Sequence, residues 1–219
     1  MRSYPEIEQG SLEWHVIRHG KVGGSSSHQL HVKSDTLLNQ LVSCRLEPFN
    51  EEEIGYQNAD MLRGQDMEPE ARQSLEAATG LRFEQVGWIE REDCAIMGIS
   101  PDGITEDLKA GCEIKCPSRP IHIGYVRAGI LPLDYVDQVV QFFAVNEKLE
   151  AVWFASYRPE CRVPLFKVEV TRDSMVNSGT KAKPVMVQVG VYAMNKRVLG
   201  LQLEEDVENE VKRVINNQF

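Results

Sequence analysis

The sequence predicts one α/β domain. Its 219 residues, 42% apolar and 26% charged, suffice for a single sizeable core and are ordinary for a globular chain. Runs of alternating apolar side chains are interspersed with runs whose apolar residues recur every three or four positions, so strands and helices share the chain. No internal repeat or low-complexity segment divides it.

Taken in order, Ser11 to Arg18 predicts a short helix, with Ser11 as N-cap, Glu13 in the first turn and Trp14 and Ile17 facing the core. His19 to Ser27 ends it in a glycine- and serine-rich loop edged by Arg18 and Lys21. Such a loop fits a phosphate cradle or a flexible linker equally well. His28 and His31 are a lone pair and receive no ligand. A second helix runs from Ser34 to Arg45, capped by Ser34 or Asp35, with Leu37, Leu38, Leu41 and Val42 as its core stripe. Asn58 to Thr79 reads as a long helix, broken near Gly64 and Pro69, with Ala71, Leu75 and Ala78 facing inward. Within it Glu68 either points toward the site or pairs with Arg72 at i, i+4 on a solvated face.

Arg82–Glu90 and Cys94–Ile99 read as strands, which with Gly111–Cys116 form a three-stranded antiparallel meander. Pro120–Ala128 is a short helix or loop. Leu133–Lys148 is a strong helix capped by Asp134, and Gln138 on it is either exposed or a contact to a site water or substrate. Ala151–Tyr157 and Pro164–Val170 are strands. The valine alternation of Pro184–Tyr192 predicts another, and Leu203–Ile215 a closing amphipathic helix.

The chemistry concentrates between Ser100 and Lys115. Asp102 lies between a proline and a glycine, at a turn. Cys112–Cys116 reads as a short buried strand whose alternation sends Glu113 and Lys115 to one face and Cys112, Ile114 and Cys116 to an apolar one. A buried charge must be paired or bound to a metal. A hairpin eased by Gly103 and Gly111 would bring Asp102 and Glu113 together as an all-oxygen site suited to Mg²⁺ or Mn²⁺. Lys115 could then orient or deprotonate a water, or stabilise developing negative charge, as phosphodiester hydrolysis requires. The plain alternative is an Asp-Gly turn beside a surface Glu113–Lys115 salt bridge.

Composition limits the field. With 33 acidic against 24 basic residues the net charge is −9, which argues against a generic nucleic-acid binder but not against a nuclease with a local phosphate contact. Much of the acid lies in Glu51–Glu53 and Glu204–Glu210. No apolar run reaches about 18 residues, which excludes a membrane-spanning helix, and the N-terminus lacks a signal-peptide core. Five cysteines without Cys-x-x-Cys spacing predict a reduced, cytoplasmic protein.

The Pro-Asp, ten residues, Glu-x-Lys pattern resembles the PD-(D/E)XK nuclease motif. Wider stretches resemble the lambda exonuclease, or YqaJ-type viral recombinase, family: Gln9–His15 with Arg18 and Gly20, Gly64–Arg72, Ser100–Gly103, Glu113–Pro117, Tyr135–Gln141 and Trp153–Tyr157. The match spans about residues 9 to 160; the segment after Val170 departs from it.

The resemblance implies a restriction-endonuclease-like fold, a central mixed sheet flanked by helices, with residues 1–219 as one exonuclease domain. It implies a 5′→3′ exonuclease on double-stranded DNA that uses two Mg²⁺ ions, with Mn²⁺ as a substitute, and leaves 3′ overhangs for strand annealing. Asp102 and Glu113, with the Ile114 carbonyl, would hold metal. Lys115 would activate the attacking water, Glu68 would add a carboxylate directly or through water, and Gln138 would position the nucleophile side. Arg18, Ser25 and Ser100 would take a 5′-phosphate, and Met61 would act as a wedge at the DNA end. It further implies a homotrimeric ring around DNA ends, a single-strand annealing partner and a phage or prophage gene expressed in a bacterial cytoplasm. The competing functions are an endonuclease or repair nuclease of the same superfamily, which needs no free end, and a non-catalytic DNA-binding subunit.

Overall fold

The computed structural model describes residues 1–32, 35–55 and 59–217, without the side chains of residues 53 and 59–61. The expected Ser34 cap, the Asn58 helix start and the Met61 wedge therefore lie outside the described residues.

The chain opens with β1 (Arg2–Tyr4) and α1 (Leu12–Arg18), then a 3₁₀ segment (Gly24–His31), α2 (Asp35–Leu46) and α3 (Ala59–Thr79). The strands β2 (Trp88–Glu90), β3 (Gly98–Ile99), β4 (Gly103–Ile104) and β5 (Ala110–Lys115) follow. Next come α4 (Arg119–Ala128), a 3₁₀ turn (Leu133–Tyr135), α5 (Val136–Val145), β6 (Ala151–Tyr157) and β7 (Leu165–Thr171). A hairpin of β8 (Met175–Asn177) and β9 (Met186–Gln188) leads into α6 (Val189–Asn216).

The central sheet is mixed, in the order β4-β5-β6-β7, with β5 and β6 parallel and the other pairs antiparallel. Parallel neighbours need a long crossover, and α4 and α5 fill it. α3 covers one face of this sheet, where Ala71 and Leu75 pack against Cys112, Ile114, Ala155 and Tyr157. On the other face lie α5 and the larger core, which includes Val139, Phe142, Phe143 and, from α6, Tyr192 and Val207. The strand alternation decides what each layer receives. Cys112 and Ile114 go to the α3 core, and Glu113 turns toward α5.

Several expected elements differ. The meander does not form, because β1-β2-β3 is a separate antiparallel sheet. Pro101 separates β3 from β4, consistent with the missing donor of proline at a strand boundary. The reversal between β4 and β5 occurs at Thr105–Lys109, where Thr105 and Asp107 hydrogen bond and Leu108 takes a φ of 62°. Gly103 and Gly111 instead permit close approach: a Cβ on Gly103 would sit 2.7 Å from the Phe83 Cβ.

α3 runs unbroken through Pro69. The lost bond to Gln65 falls on an exposed face, open to solvent, while Ala71 and Leu75 bury the helix from the other side. Ala78 is exposed, not inward. Asp134 lies within the 3₁₀ turn, and Tyr135 occupies the cap position of α5.

The valine alternation yields only the short β9, and α6 begins at Val189, well before Leu203. The buried face of α6 follows helical spacing through Val189, Tyr192, Ala193, Lys196 and Gly200. A lysine and a glycine on that face conceal it from an apolar pattern.

Candidate functional site

The hairpin register pairs Gly103 with Cys112, which sets Asp102 beside Glu113 at the end of the sheet. Asp102 is fixed by its own backbone partner: its Oδ2 accepts from the Ile114 N–H at 2.6 Å. Glu113 is 1% exposed. Its Oε1 is gripped from two sides, by an ion pair with Lys115 and by the Gln138 Nε2, which donates at 2.7 Å from α5. Its Oε2 is buried and has no partner among the described residues. A buried oxygen left without a donor is costly and marks a place for a ligand.

The electrostatics agree. Burial first, then the charge of Asp102, pushes the Glu113 carboxyl up to about 8. Burial likewise raises Asp102 against the pull of Lys115 and the Ile114 N–H. Glu68 is raised to about 7 by burial and by Asp102, even though its Oε1 accepts from the Arg72 guanidinium at 2.6 Å. Burial opposes the charge of Lys115, but Glu113 and Asp102 outweigh it and hold its ammonium above the ordinary lysine range. Negative charge thus exceeds what Lys115 and Arg72 neutralise.

Asp102, Glu113, Lys115 and Gln138 line one cleft of about 160 Å³ together with Arg18, Ser25 and Ser100. Seven of the residues singled out in the sequence therefore meet in one place. Glu68 is not among the residues that line the cleft; it pairs with Arg72 at i, i+4, but on a largely buried rather than a solvated face, where it feels the charge of Asp102. Arg18 stacks its guanidinium 3.7 Å over the Trp14 ring, has no carboxylate partner among the described residues, and is lowered to about 10 by burial. An unpaired, half-buried guanidinium is an anion site in waiting.

Ser25 is exposed at the lip of the cleft. Ser100 is already engaged: its hydroxyl donates to the Gly87 carbonyl at 2.7 Å and accepts from the Trp14 Nε1 at 2.9 Å. It would have to exchange a partner to donate to a phosphate.

The sequence reading left Gln9, Trp14 and Phe142 without a role, yet all three line the cleft. Gln9 donates to the carbonyls of Val86 and Pro101, at 2.9 and 2.8 Å, and so ties the start of the chain to the Asp102 turn. Trp14 was visible only as a core residue of α1, since nothing local says that Arg18 will stack on it. His31 faces Asp137 at 3.6 Å.

For a hard divalent cation the donors fit: two carboxylates, one with an orphaned buried oxygen, and no cysteine, histidine or methionine among the described residues that line their cleft. Among the described residues no three His, Cys, Asp or Glu side chains close around a point. An open two-carboxylate site suits Mg²⁺, which keeps several waters.

A mixed sheet carrying Asp102, Glu113 and Lys115 at one end, with helices on both faces, defines a protein of the PD-(D/E)XK nuclease-like fold. Residues 13–148 match the YqaJ-like viral recombinase domain, and the chain belongs to that family.

Solved structures share the fold. The alkaline exonuclease LHK-Exo from Laribacter hongkongensis is 24% identical, with 94% of this chain and 97% of that chain covered and a TM-score of 0.75. LHK-Exo in complex with dAMP is also 24% identical, covering 94% of this chain and 99% of that one at a TM-score of 0.71. A phage-related exonuclease from Haemophilus somnus 129PT is 13% identical over 89% and 96% of the two chains, with a TM-score of 0.52. No protein of curated function matches the chain.

Proposed function

We propose that the protein is a Mg²⁺-dependent 5′→3′ exonuclease that hydrolyses one strand of double-stranded DNA from its end, leaving 3′ overhangs for strand annealing. The observation that carries this reading is the buried Asp102–Glu113 pair beside Lys115, with one Glu113 oxygen unpartnered. Family membership and the similar folds of two solved exonucleases support it.

Two cations held by Asp102, Glu113 and the Ile114 carbonyl, with Glu68 through water, would supply Lewis acidity at the scissile phosphate. The chain's own groups do the rest. Gln138 and Lys115 hold the Glu113 carboxylate in one orientation. Lys115 stays charged, so it serves better to orient the attacking water and to stabilise negative charge than to remove a proton. Arg18 faces the cleft without a carboxylate partner among the described residues and would receive a terminal 5′-phosphate, with Ser25 at the lip and Ser100 after a change of partner.

With this reading go residues 1–219 working as one domain in a bacterial cytoplasm, a homotrimeric ring and an annealing partner. No helix among the described residues is long and apolar enough to cross a membrane. Exposed Val191, Met194, Val198 and Leu201 on α6 offer apolar surface for association.

The test is digestion of linear duplex bearing a 5′-phosphate or a 5′-hydroxyl, and of a covalently closed circle, with Mg²⁺ or chelator. We expect Mg²⁺-dependent loss of the 5′ strand, faster from the phosphate, and a resistant circle. Equal cutting of the circle would instead establish the endonuclease.

A further inference from the structure

Lys196 lies on α6, outside the residues that match the family, and is 0% exposed. Its ammonium sits 2.7 Å from Asp137 Oδ1 and donates to the Ser27 carbonyl at 2.9 Å. The Ser27 hydroxyl in turn donates to the carbonyls of Gly24, at 2.8 Å, and Asp137, at 2.9 Å. Tyr192, one turn before Lys196, gives its hydroxyl to Asp137 Oδ1 at 2.8 Å. One buried cation on the second turn of α6 therefore joins two other elements, the 3₁₀ segment and the first turn of α5.

Both elements it joins reach the cleft. Gly24 and Ser25 form one wall, and Gln138, the neighbour of Asp137, forms another. The walls meet without slack: a Cβ on Gly24 would stand 3.0 Å from the Gln138 Cγ. Stability alone does not require such a knot, since apolar residues of similar volume often replace a buried ion pair without loss. We propose that Lys196 is a positioning residue that locks the Gly24–Ser25 wall against Gln138 and so sets how the 5′-phosphate end of the DNA strand is seated. This rests on the exonuclease reading of the cleft; Lys196 touches no reacting atom.

The test compares wild type, Lys196→Met and Ser27→Ala, the last leaving the ion pair intact and serving if the first does not fold. Amide hydrogen exchange is read over residues 22–31 and over β6. The ratio of kcat/KM for 5′-phosphorylated over 5′-hydroxyl linear duplex is read beside it. In Lys196→Met we expect exchange over 22–31 to rise about tenfold with β6 unchanged, and the end-preference ratio to fall about tenfold. Ser27→Ala should move both in the same direction by less.

A uniform loss of protection with an unchanged ratio means a general packing role and overturns the proposal. So does unchanged exchange over 22–31 in a folded variant. If wild type digests neither duplex, the exonuclease reading falls, and exchange over 22–31 still decides whether Lys196 holds the wall.

Discussion

Two carboxylates, the buried Glu113 facing α5 and the half-buried Asp137 on its first turn, each stand beside one lysine and behave in opposite ways. Asp137 meets Lys196, the Tyr192 hydroxyl and, further off, His31. Burial alone would raise its carboxyl, but Lys196 and Tyr192 outweigh burial and hold it low. Glu113 meets Lys115 and Gln138, yet stands at about 8, because its own burial, and then the second negative charge of Asp102, outweigh them. The first knot is complete within the chain. The second has more anion than the chain neutralises and one oxygen with no donor. A balanced buried pair organises structure, whereas an unbalanced one stands ready for a cation from outside.

The sharpest way to break this contrast is to remove one carboxylate. Glu113→Gln should lower the rate on linear duplex by at least about a thousandfold in single-turnover digestion. Its melting temperature in chelator should nevertheless hold or rise, because the charge crowding is relieved. A melting temperature that falls sharply would place Glu113 with Asp137 as a structural group.

The pH dependence separates the two sites next. For Glu113 and Glu68 the folded-state values of about 8 and about 7 lie above the ordinary 4.5. Their contribution is fully present below pH about 4.5 and is lost as pH rises through about 7 and about 8. Asp137 is depressed, so its contribution is present above the ordinary 3.8 and is lost as pH falls through its lower folded value. In chelator, stability should therefore peak in mild acid and decline toward pH 8. Mg²⁺ should restore most at the alkaline end, and urea midpoints against pH with and without the ion measure both effects.

The smallest effect probes the seam between the two sites. Gly24→Ala puts a methyl 3.0 Å from the Gln138 Cγ without backbone strain, since Gly24 does not hold a positive φ. Gln138 must shift by a few tenths of an ångström. Turnover should fall by about 1 kcal/mol of barrier, roughly fivefold, with the urea midpoint unchanged.

Much of the site was legible because it is local. A strand's period of two settles that Glu113 and Lys115 share a face, and the short hairpin back to Asp102 follows from ten intervening residues. α1 with its Ser11 cap and β6 were legible for the same reason, and both lie where expected. The extent of α6 was not, since Lys196 and Gly200 on its buried face find their partners in Asp137 and in the Met97 side chain, far away in sequence. Nor did any local pattern reveal that β3 and β4 enter different sheets on either side of Pro101.

By itself, the sequence determined which carboxylates and which lysine stand together, the helical and extended stretches around them, and the family to which their spacing belongs. Those are consequences of backbone periodicity and short turns. Tertiary structure alone decided that Gln138 reaches Glu113, that Arg18 stacks on Trp14 at the cleft, and that a lysine from α6 fastens the wall of the cleft. Each of these depends on the surroundings of a buried polar group, and those surroundings exist only once distant segments have packed.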